Sequence, residues 1–84
     1  MQNTYAIKKR QAIKLLQVSV SQYLLNYMEL NKINQVQLAR ILGVAPGRVN
    51  KMINQSVNFK LGTLVDISIK TGSKLVISFE QDKN

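Results

Sequence analysis

Asn50, Lys51 and Asn54 stand within "PGRVNKMIN", residues 46–54, at spacings that share one side of a helix. An Asn amide offers a donor beside an acceptor and can pair with the edge of adenine, and a Lys ammonium can donate to guanine or to a phosphate. This is the chemistry of recognition. The chain has no cysteine and no histidine, so it lacks a thiol nucleophile, an imidazole base and the usual zinc ligands. Its four carboxylates, Glu29, Asp66, Glu80 and Asp82, show no spacing that would make a catalytic pair. No enzyme, no metal and no cofactor is expected.

The charge balance points the same way. Twelve Lys and Arg against four Asp and Glu give a formal +8, which calls for a negatively charged partner. Charge alone does not choose between nucleic acid, an anionic membrane surface and an acidic protein. No apolar run reaches the roughly 18 residues of a membrane span, and the opening "MQNTYAIKKRQ" lacks the apolar block of a signal peptide. A cytosolic protein without a membrane partner is expected. At 84 residues the chain makes one domain with a thin core, burying only about 60% of the surface its unfolded form exposes. Without disulfides, self-association is the most available source of further burial.

The elements that must position Asn50, Lys51 and Asn54 follow from periodicity and capping. Ile13, Leu16, Val20, Leu24 and Tyr27 recur at spacings of three and four, predicting one helix or two consecutive ones over residues 5–30, with Thr4 placed to cap the start. Within it "LQVSVS", residues 16–21, also alternates as a strand would; the helical spacing on both sides favours helix. Asn34 with Gln37 forms a capping-box pattern and Ile33 with Leu38 a hydrophobic staple, so a second helix should run from Gln35 to Leu42. Gly43 can take the left-handed conformation that ends it, and Pro46 suits the first turn of a third helix, Pro46 to about Asn54. Leu61, Leu64, Val65, Ser68 and Ile69 predict a fourth helix over 61–71, stopped near Gly72. In "KLVISFE", residues 74–80, Leu75, Ile77 and Phe79 alternate with Val76 and Ser78, predicting a strand.

On a helical wheel Val49, Met52 and Ile53 fall within an arc of about 100°. Gly47, Asn50, Lys51 and Asn54 fall within an opposite arc of about 100°, with Arg48 on the flank. The outward arc contains no acid. Any one of these residues alone reads more simply as part of a solvated helix face. The tight turn, the acid-free face and the net +8 together favour DNA.

Residues 35–54, "QVQLARILGVAPGRVNKMIN", resemble the helix-turn-helix of the phage repressor and Cro (XRE) class, with Ala39, Gly43 and Val49 at the crossing, turn and inner positions. The order of the other elements, "NFKLGTLVDISIKTGSKLVISF" included, is similar to the subgroup that contains HigA- and HipB-type antitoxins. The resemblance implies a mainly α fold: a small helical bundle, 1–84, with a repressor-type helix-turn-helix at 34–54 and a C-terminal β-strand at 74–80 paired across a dimer. It implies a sequence-specific transcriptional regulator, a dimeric repressor that reads the major groove of double-stranded DNA at a palindromic operator. Gln35 would touch the DNA backbone, while Pro46, Gly47, Asn50, Lys51 and Asn54 would face bases and Arg48 would match an arginine of the antitoxin-like members. Where relatives often carry Ser-Gln or Gln-Ser, this chain has Ala45, Pro46 and Gly47, so readout at the helix start falls to backbone N–H groups, to close approach to a thymine methyl, or to Arg48.

Dimerisation is expected through Leu75, Val76, Ile77, Ser78 and Phe79, because a lone strand leaves its N–H and C=O groups unpaired and this chain offers no other confident strand. Leu75, Ile77 and Phe79 should then rest on Leu64, Ile67 and Ile69. The alternative function is an antitoxin that neutralises a cognate toxin protein and regulates its own operon. The basic cluster Lys8, Lys9, Arg10 and Lys14 suits DNA phosphate or an acidic partner better than a membrane surface, which would want bulky apolar residues opposite it, a demand that Ile7, Ile13 and Leu16 meet only in part.

Overall fold

The computed structural model describes residues 3–82 and contains four helices: α1 (Thr4–Asn31), α2 (Gln35–Leu42), α3 (Pro46–Ile53) and α4 (Leu61–Lys70). Residues 16–21 lie inside α1 and are helical. The cap of α1 is Asn3 instead of the expected Thr4: the Asn3 side chain accepts from the Ala6 N–H at 3.1 Å, and Asn ranks above Thr in this role.

Around α2 and α3 the local chemistry produces the expected geometry. The Asn34 carboxamide accepts from the Gln37 N–H at 2.9 Å, and the Gln37 side chain accepts from the Asn34 N–H at 2.9 Å. Gly43 closes α2 in the left-handed region at φ +71°, with its own N–H and that of Val44 turned back to the carbonyls of Arg40 and Ala39. A β-carbon there would meet only Lys70 Nζ at 3.7 Å. The demand for glycine is therefore conformational, since an ordinary residue in that region costs about 1–2 kcal/mol. Lys32 (φ 53°) and Gln55 (φ 63°) accept that cost at the ends of α1 and α3.

The core lies where the four helices meet. Leu24 of α1, Leu38, Ala39 and Leu42 of α2, Val49 and Met52 of α3, Val57 of the loop that follows α3 and Ile67 of α4 form one buried cluster. Two polar bonds fix the short helices within it. Ser21, buried in α1, donates to the Ile53 carbonyl at the end of α3 at 2.6 Å. Lys70 of α4 donates to the Leu42 carbonyl at the end of α2 at 2.9 Å, placing a cation on the negative end of that helix. Among the described residues, every buried side-chain polar atom has a partner.

α4 turns Ile67 and Ser68 to the interior, half-buries Leu64 and leaves Leu61, Val65 and Ile69 exposed. One expectation is corrected. Among the described residues there is no strand. Residues 74–80 have no ladder among the described residues, because a strand needs a second extended segment to exchange hydrogen bonds with and the described residues supply none. Of the three side chains expected on α4, Leu75 is half-buried beside Leu64 and Ile67, while Ile77 and Phe79 are exposed, Phe79 fully; Val76 and Ser78, expected on the other face, are exposed as well. The segment runs back beside α1: Tyr23 donates to Ser73 Oγ at 2.8 Å, and Lys8 pairs with Asp82 at 3.2 Å.

Candidate nucleic-acid interface

Three of the expected site residues are joined directly. Asn50 donates through Nδ2 to Gln35 Oε1 at 3.3 Å, and Asn54 donates through Nδ2 to Asn50 Oδ1 at 3.0 Å. Gln35 is the first residue of α2, so a row of three carboxamides runs from its start down the outer side of α3. Each amide keeps unused donors and acceptors, because each can make up to four hydrogen bonds and is held here by one or two. The row holds these hydrogen-bonding groups in fixed orientations, an arrangement that would lower the side-chain ordering cost of any binding there.

Lys51 is exposed on the same side, and its carbonyl accepts from both the N–H and the hydroxyl of Ser56, fixing the loop after α3. Pro46 is the first residue of α3. Gly47 is exposed, and a β-carbon there would meet nothing within 4 Å. Arg48 stands apart from the amide row. It borders a recess with Thr63, Asp66 and Lys70 of α4, close to the turn at Gly43. The inner side of α3 is Val49, Met52 and the half-buried Ile53. With that side sealed against α1 and α2, the polar side is held outward.

Set against protein-family models, curated proteins and solved structures, the chain matches none.

Some residues that hold this face in place give no sign of it in the sequence. Ser21 and Lys70 fix the ends of α3 and α2, and Gln17 of α1 donates to the Val57 carbonyl at 2.9 Å and to Asn58 at 3.2 Å, tethering the loop that follows α3. All three act across 28 or more residues, beyond the reach of any local pattern. Among the described residues no group of three acidic side chains comes together to hold a metal ion.

Proposed function

We propose that the chain is a sequence-specific regulator of transcription that binds double-stranded DNA as a dimer and represses a palindromic operator. The observation that carries this reading is the Gln35–Asn50–Asn54 amide row beside exposed Lys51, on an acid-free helix face of a chain with net charge +8. A short helix carrying amides and a cation on its free side has the dimensions and donors of a major-groove reader. Arg48, off the row, takes a phosphate contact.

Selection of bound sites from random DNA tests the reading. The expected product is a pseudo-palindrome with half-sites about 10–10.5 base pairs apart, or a multiple of that, because two recognition helices related by a two-fold axis meet the groove one turn apart. Recovery of unrelated sequences would reduce the chain to a non-specific DNA binder.

Gly47 offers a second test. Alanine there fits the open space and should stabilise the fold by about 0.5 kcal/mol, raising the melting temperature by roughly 2–4 °C. Operator binding should weaken at the same time, because the added methyl sits where the start of α3 must approach DNA closely. A variant that is more stable and binds as well as the parent would show that α3 does not enter the groove by this end.

The antitoxin reading draws on a different feature, the exposed Lys8, Lys9, Arg10 and Lys14 on the first half of α1. An acidic protein partner would find its counter-charges there, and co-purification with the product of a neighbouring small reading frame would move the assignment toward it.

A further inference from the structure

The chain exposes 6755 Å², whereas a folded monomer of 9.5 kDa exposes about 5,050 Å². The surplus of roughly 1,700 Å² is about twice the area that each partner in a standard-sized complex buries. Its radius of gyration, 14.6 Å, compares with about 12 Å for a compact domain of this length. The fold therefore carries more surface than a self-sufficient monomer of its size.

One face gathers apolar side chains that nothing covers. Two adjoining recesses between α1 and α4 share Val20 and Leu64, with Leu16 toward one end and Leu75 toward the other. Beside this trough runs a ridge on α4, where Leu61, Val65 and Ile69 recur every fourth residue and are 64%, 41% and 68% exposed. Leu16 is itself 67% exposed. Leu61, Val65 and Ile69 neighbour the trough residues Leu64 and Ser68 along α4, and a trough with a ridge beside it can pair with its own copy: a two-fold axis can seat the ridge of each chain in the trough of the other, as helix ridges pack into grooves.

We infer that this trough and ridge form the dimer surface, and that its occupant is a second copy of the chain. The inference deepens the dimeric reading above by naming its surface, and it replaces a ribbon of residues 74–80 as the main source of association. Leu75 at the end of the trough lets the C-terminal segment border the interface without forming it alone.

Sedimentation of the full chain without DNA tests it. The parent should run at twice the 9.5 kDa chain mass at micromolar concentration. Leu16→Gln and Leu61→Gln should each weaken association by about tenfold or more, as replacing an apolar anchor of an interface by a polar side chain does, with helical circular dichroism unchanged because both side chains are exposed in the single chain. Leu30→Gln, at an 82% exposed position near the end of α1 outside this face, should leave the mass unchanged. A parent that is monomeric throughout, or a dimer indifferent to both Leu16→Gln and Leu61→Gln, overturns the inference. Because mass is read without DNA, a failure to bind any operator would refute the regulatory reading and leave this result standing.

Discussion

Replacing both Asn50 and Lys51 by alanine is expected to lower affinity for the selected operator by about 2–4 kcal/mol, roughly 30- to 700-fold, while affinity for random DNA changes only a few-fold. Each residue alone should cost about 1–3 kcal/mol on the specific site. The two contributions differ in kind. Lys51 acts through its own ammonium. Asn50 sits in the middle of the amide row, donating to Gln35 and accepting from Asn54, so its removal also releases two neighbours whose orientation it fixes. The effects of Asn50→Ala and Asn54→Ala should therefore not add, because each disrupts the same row. Lys51→Ala and Asn54→Ala should add more nearly. The measurement is a set of binding isotherms on operator and random duplexes at two or more salt concentrations. Equal losses on both duplexes, with a shallower salt dependence, would mean that these residues touch only phosphate.

The parts of this face that were legible in the sequence are those governed by neighbours in the chain. Asn34 with Gln37, Gly43 and Pro46 each act over one turn or less, so their types fix where α2 ends and α3 begins before any tertiary contact forms. The wheel of α3 also gives its direction, because Val49 and Met52 have one place to go. What the wheel cannot give is the partner on another helix. The Asn50–Gln35 bond spans 15 residues and depends on the angle between α2 and α3, which Ser21 and Lys70 help to fix from α1 and α4. The spacing of α4 gives the helix, and for a related reason it leaves open which side is buried. Leu61, Leu64, Val65, Ser68 and Ile69 make as good a stripe as the one the fold buries, and only the packing of Ile67 against the core decides between them. Residues 74–80 show the limit most clearly, since alternation describes what a strand would look like and says nothing of what it would pair with.

Leu38→Ala is expected to cost about 2–5 kcal/mol of folding stability. Domains of this length typically hold about 4–13 kcal/mol in all, so the substitution removes a large share. Leu38 is fully buried in one seam with Leu24 and Val49 and with Met52, which is 1% exposed, so its removal leaves a space bordered by three helices. That space cannot easily close. The Ser21–Ile53 bond holds α3 to α1 at 2.6 Å, and the capping box fixes the start of α2, so collapse into the cavity would require breaking these hydrogen bonds, the first of them partly buried. The loss should therefore fall in the upper half of its range. Val36, two residues earlier on the same helix and 48% exposed, is the control, with Val36→Ala expected to stay within about 0.5 kcal/mol of the parent. Both are read from urea unfolding at one fixed protein concentration, because association would otherwise shift the midpoint. The same seam supports the outer face of α3, so Leu38→Ala should also weaken operator binding near its lowered melting temperature and recover it on cooling. If Leu38→Ala were no more costly than Val36→Ala, the buried seam would not be what holds α2 against α3, and the amide row would need another source of order.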